Sequence, residues 1–167
     1  EEEASILRLH SQQADINRRL EEELQTVTSP EEIVRITQEN GQIHVDDRLL
    51  GGPDADLGRR ALRLLGDRLY EIKLVMQPDK LARLQQVPIF LDRTHGKLTS
   101  MQYHPNPGWL KANGYASELA KCAHIPDASR FADPKHHHQQ PWAVLHELAH
   151  AYHDQVLGYE NAKIKDH

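Results

Sequence analysis

The sequence predicts an α+β protein, mainly helical, with a small sheet packed on one helix near the C-terminal end. Two observations predict it. Apolar residues recur at three-to-four-residue steps in long stretches, of which 57–76 and 141–157 are the clearest. Strand-like runs are few and short, at 42–46, 87–92 and 98–104, and the last two follow one another as a hairpin instead of alternating with helices. The order helix, hairpin, helix argues for α+β and against a doubly wound parallel sheet.

Taken in order, residues 5–25 read as a helix, with Ile6, Leu9, Ile16, Leu20 and Leu24 on one face and a solvated charged flank around Arg18 to Glu23. Thr28-Ser29-Pro30-Glu31-Glu32 supplies an N-cap, a Pro at the first helical position and a capping-box Glu. That second helix ends at Asn40-Gly41, a left-handed C-cap signal. Residues 1–40 therefore form an N-terminal helical segment, and 41–167 form the second domain, with truncation at its C-terminus left open. Gln42 to Asp46 is one short strand, followed by the loop Gly51-Gly52-Pro53. Leu57, Ala61, Leu65, Leu69, Ile72 and Met76 build a long helix that Pro78 breaks, and Asp79 to Gln86 resume it. Val87 to Asp92 and Leu98 to His104 flank the turn Thr94-His95-Gly96-Lys97, so a hairpin is expected there. From Pro105 to Gln140 the chain reads as loop, with short helical pieces near Trp109 and Glu118. Pro141 to Leu157 is the last helix, capped by Gly158.

Composition narrows the function. The 167 residues carry a net charge of −5, which gives no broad electrostatic footprint for nucleic acid. No apolar run approaches the ~18 residues of a transmembrane helix. Cys122 is the single cysteine, so neither an intramolecular disulfide framework nor a cysteine-based zinc knuckle is available. The chain opens on Glu1-Glu2-Glu3 without a leader signature, and the compartment stays open, secreted or periplasmic as well as cytoplasmic. The outstanding feature is 12 histidines.

Two of them carry a motif. Trp142-Ala143-Val144-Leu145-His146-Glu147-Leu148-Ala149-His150 contains His-Glu-x-x-His. Residues four apart stand one above the other on a helix, so His146 and His150 can reach one metal ion just off that face. Glu147 lies about 100° round the helix from His146, beside the ion, where it suits a general base for the attacking water. Imidazole is a good zinc ligand, and an open coordination position makes such a site catalytic. Val144, Leu148, Ala151 and Tyr152 fall on the opposite face and would pack on the core. Ala149 is small and leaves room for substrate.

Residues 140–159 resemble the active-site helix of the zincin metallopeptidases. The stretch Gln140-Pro141-Trp142 through His150-Ala151-Tyr152-His153-Asp154-Gln155 is also similar to bacterial metallopeptidases related to the anthrax lethal-factor catalytic domain. The resemblance implies a zincin-like domain over 41–167, His146 and His150 as ligands of Zn2+, Glu147 as general base, and a peptide or protein substrate. It also implies that a strand near the site pairs with extended substrate, and Leu98 to His104 fits that edge.

The departures concern the third ligand. The metzincin pattern His-x-x-Gly-x-x-His is not followed, since Ala151, Tyr152, His153, Asp154, Gln155 and Val156 succeed His150. Gluzincins use a Glu on a later helix, and a Glu beyond residue 167 is the expected ligand here. His153 shares the ligand face but lies about 10 Å along the axis from His146, so it is expected at the pocket rim. Asp154 is expected to orient a ligand imidazole or anchor the following loop, and Glu160, Asp166 and His167 could fold back. His136, His137 and His138 are read as a mobile or pocket-rim loop. His10, His44, His95, His104 and His124 are read as ordinary surface or partly buried histidines. Tyr103, Tyr152 and Tyr159 are candidate oxyanion donors, with Tyr152 better placed to pack. Cys122 is read as a small apolar residue. The expectation is a zinc-dependent peptidase, with a catalytically impaired zincin-like binding module, or a purely structural zinc site, as the alternatives.

Overall fold

A computed structural model describes residues 41–158 and Asn161. The readings made for the first 40 residues, and those for Tyr159, Glu160, Asp166 and His167, lie outside the described residues. Within them the protein is α+β, with a mixed four-stranded sheet and helices of very different lengths.

Strand β1 (Ile43–Val45) leads through two 3-10 turns into α1 (Ala55–Val75). The expected stripe of α1 is buried at Ala61, Leu65, Leu69 and Ile72, joined by Leu62. Gly58 lets this helix meet the preceding turn, because a Cβ there would sit 1.9 Å from the Leu49 carbonyl oxygen. The helix stops at Met76, whose backbone is extended, and Pro78 opens α2 (Pro78–Leu84) at the position where its missing N–H costs nothing. Strands β2 (Ile89–Leu91) and β3 (Gln102–Tyr103) follow, then α3 (Pro107–Ala112) and β4 (Ala123–Ile125). Two short helices, α4 (Ala128–Phe131) and α5 (Pro134–Gln139), precede α6 (Ala143–Tyr152), which runs on into a single π turn at His153–Leu157.

The sheet order is β1-β2-β4-β3, with β1, β2 and β4 parallel and β3 antiparallel at the edge. This corrects the expected hairpin. β2 and β3 are not neighbours, because β4 lies between them and pairs with both. The turn at 94–97 is present as an isolated bridge between His95 and Leu98, with Gly96 in the left-handed region at φ 58°. Its far side does not return along β2 but crosses to the next strand position but one. In residues 105–140 the expected helical pieces are present as α3, around Trp109, and as a 3-10 turn at Ser117–Leu119, around Glu118, while β4, α4 and α5 replace what was read as loop.

Side chains alternate across the sheet, and the register sorts them into two faces. Ile89, Leu91, Ala123, Ile125 and Tyr103 share one face, while His44, Phe90, His124 and Gln102 share the other. Helix α6 packs on the first face, against β3 and β4, and also against α1 and α2. Val144, Leu148 and Ala151 are its buried residues, with Leu148 facing Leu69, Ile72, Leu84 and Ile89 across a small apolar gap. Tyr152, expected in the same row, is only half-buried. The face expected to carry the helix therefore does so, and it leaves His146 and His150 pointing away from the core.

Candidate metal site on the histidine helix

Helical spacing brings the two motif histidines together. Nε2 of His150 lies 3.1 Å from Nε2 of His146, and the rings meet edge to face with centroids 4.6 Å apart. Both side chains are exposed. Two nitrogens each about 2.0–2.1 Å from one zinc ion, at a tetrahedral angle, would be about 3.3–3.4 Å apart. The observed spacing fits one shared ion within a few tenths of an ångström, and the donor type suits zinc.

Glu147 is held from the sheet. Its Oε2 accepts a 2.7 Å hydrogen bond from the backbone N–H of Tyr103 on the edge strand. One carboxylate oxygen is thus fixed by main chain, so the side chain cannot swing out to solvent at no cost. The edge strand is in turn tied to the end of α6. Tyr103 donates its hydroxyl to Oδ2 of Asp154 at 2.6 Å, Lys121 Nζ donates to the same oxygen at 2.5 Å, and Gln155 Nε2 donates to the Tyr103 hydroxyl at 3.1 Å. Burial opposes ionisation of Asp154, but the bonds from Lys121 and Tyr103 outweigh it and hold its carboxyl below the usual value.

These contacts settle several residues. Asp154 does not orient a ligand imidazole; it anchors the edge strand, because its carboxylate is turned towards Tyr103 and Lys121. Tyr103 is buried with its hydroxyl committed to Asp154 and Gln155, which removes it as an oxyanion donor. His153 is not drawn into a shared ligand group with His146 and His150, and among the described residues no third His, Cys, Asp or Glu converges on that pair. His136 to His138 are not a loop: they sit in α5, where His137 bonds to Arg68 and His136 lines a cleft. That cleft, of about 490 Å³, is lined by Ser100, Met101, Arg130, His136, His146 and Glu147 among others. Cys122 is buried, and burial pushes its thiol up to about 11, which suits the apolar reading.

Of the histidines read as ordinary, His44 is exposed and His95 half-exposed as expected, whereas His104 and His124 are the main correction. His124 is fully buried and His104 is 3% exposed. On the sheet face away from α6 they form a chain: His104 Nε2 to His124 Nδ1 at 3.2 Å, His124 Nε2 to Asp92 Oδ2 at 2.9 Å, and the same oxygen to His95 Nδ1 at 2.5 Å. Trp109 stacks on His104 and on Tyr115, and Tyr115 packs beside His95. Strand β4 is too short for its alternation of apolar and polar positions to stand out. The sequence signal was a single histidine set between Ala123 and Ile125.

No family model matches the chain, and no curated protein or solved structure matches it either.

Burial of His104, with the nearby imidazoles of His124 and His95, pulls it down to about 4 from 6.5. The folded state therefore binds fewer protons than the unfolded chain between these values, so stability rises with pH across that window. In metal-free protein this contribution is complete above pH 6.5 and is lost as pH falls towards 4, on the order of 3 kcal/mol in all. Urea unfolding at several pH values should show that His104→Gln flattens this part of the profile. An unchanged slope would refute the assignment.

Proposed function

We propose that the protein is a zinc-dependent peptidase. The observation that carries this reading is the paired geometry of His146 and His150 beside a general base held by an edge strand. His146 and His150 would hold the ion through Nε2. Zinc, when bound, polarises the scissile carbonyl and makes water a stronger nucleophile near neutral pH. Glu147 has one oxygen fixed by the Tyr103 N–H, and its other oxygen takes the water proton and returns it to the leaving amine. The zincin resemblance puts extended substrate along an edge strand beside the helix. Since the Tyr103 N–H is already engaged, Ser100 and Met101, which line the cleft, are the backbone positions that receive it. Arg130, which lines the same cleft, suits a substrate carboxylate.

A second reading, a binding module built on the same helix, is favoured by one observation: no third donor among the described residues joins the histidine pair. The two readings separate on one assay. A zinc-supplemented preparation should cleave an unstructured protein such as casein, lose that activity to 1,10-phenanthroline, and regain it on adding zinc. Stable binding of peptide without cleavage, with or without zinc, would reject the peptidase.

A further inference from the structure

We propose that Asp92, His95 and His124 form a second divalent-cation site, on the face of the sheet turned away from the histidine helix. The three donor atoms lie within 4.8 Å of one another. Two imidazoles and one carboxylate are the donor set of many zinc and other first-row divalent sites. The arrangement is built into the fold. Asp92 follows β2 directly, on the same side as Phe90, and His124 is paired with Phe90 across β2 and β4. His95 lies three residues on from Asp92, with its Nδ1 2.5 Å from Asp92 Oδ2.

The supporting shell is also present. A metal-ligating histidine normally has its other ring nitrogen hydrogen-bonded, which fixes its tautomer. His124 has this partner in His104, at 3.2 Å. Donors around one ion at about 2.0–2.2 Å stand roughly 3–3.5 Å apart. The present separations of 2.5 and 2.9 Å are hydrogen-bond distances, so binding requires the donors to spread by some tenths of an ångström. His95 is the member able to yield, being half-exposed on a turn, whereas His124 is fixed in the sheet.

Binding reverses the protons along the chain of rings. Without a cation, His124 donates from Nε2 to Asp92, and its Nδ1 accepts from His104 Nε2–H. With a cation on Nε2, His124 carries its proton on Nδ1 and donates to His104 Nε2, while the proton His104 held on Nε2 moves to its own Nδ1. The ion joins β2 to β4 and, through His104, to the residue after the edge strand.

The test uses the full chain carrying His146→Ala and His150→Ala, so that the other site does not report and the outcome does not rest on the peptidase reading. Elemental analysis after equilibration with zinc and gel filtration should give about one zinc per chain. Adding His95→Ala should bring it near zero, and so should Asp92→Asn, with circular dichroism showing that each variant is folded. Nitrogen-15 histidine spectra should show the His124 proton moving to Nδ1 on zinc addition. No zinc in the double variant, or full retention after His95→Ala, would overturn the proposal and leave a purely hydrogen-bonded network.

Discussion

Glu147→Gln is expected to leave zinc in place and to lower peptide hydrolysis by roughly 10²–10⁴-fold, the usual size of a general acid–base contribution. Glutamine keeps the shape, and its side-chain oxygen can still accept from the Tyr103 N–H, so the edge strand stays on the helix. What is lost is the basic oxygen that would take a proton. KM for a peptide should change little, because the backbone positions at Ser100 and Met101 and the wall at Arg130 are untouched. The measurement is steady-state cleavage of a quenched fluorescent peptide, with zinc content measured on the same samples. Wild-type turnover in the variant would refute the role, and simultaneous loss of zinc would mean that Glu147 is a ligand.

The sequence made part of this site legible and hid the rest, for physical reasons. The histidine pair was readable because both ligands, the base and the buried row of Val144 and Leu148 lie in one helix, where spacing alone fixes the geometry. The breaks at Pro78 and Gly158 were readable for the same local reason. The sheet order was not. A short apolar run tells that a strand exists but carries no information on its neighbour, and a hairpin is only the commonest answer. Here Ala123–Ile125 entered between the two expected partners, and three residues flanked by Cys122 and Pro126 give too little pattern to announce a strand. The buried histidine chain was hidden with it. His95, His104 and His124 are far apart in sequence, and they meet only once β4 is placed beside both β2 and β3. The Glu147 anchor was likewise invisible, since its donor is a backbone N–H 44 residues away.

The second large effect concerns the ligands. His146→Ala or His150→Ala is expected to remove one equivalent of zinc per chain and to reduce hydrolysis to background. Each histidine is half of the donor set that the described residues bring to this ion, and a single imidazole holds zinc weakly in water. The fold should not follow the metal. Both side chains are exposed, whereas α6 is fixed by Val144, Leu148 and Ala151 on its other face and by the Asp154–Tyr103 contact at its end. Alanine is also the best helix former, so the substitution costs the helix nothing. The thermal midpoint of the metal-free variants should therefore match that of metal-free wild type, while the rise in midpoint produced by zinc should shrink, because a ligand stabilises only the state that binds it. The check is zinc content and thermal unfolding with and without zinc for wild type, each single variant and the pair. Unchanged zinc content in the pair would show that this helix holds no metal, and among the described residues Asp92, His95 and His124 would be the group left to hold the zinc.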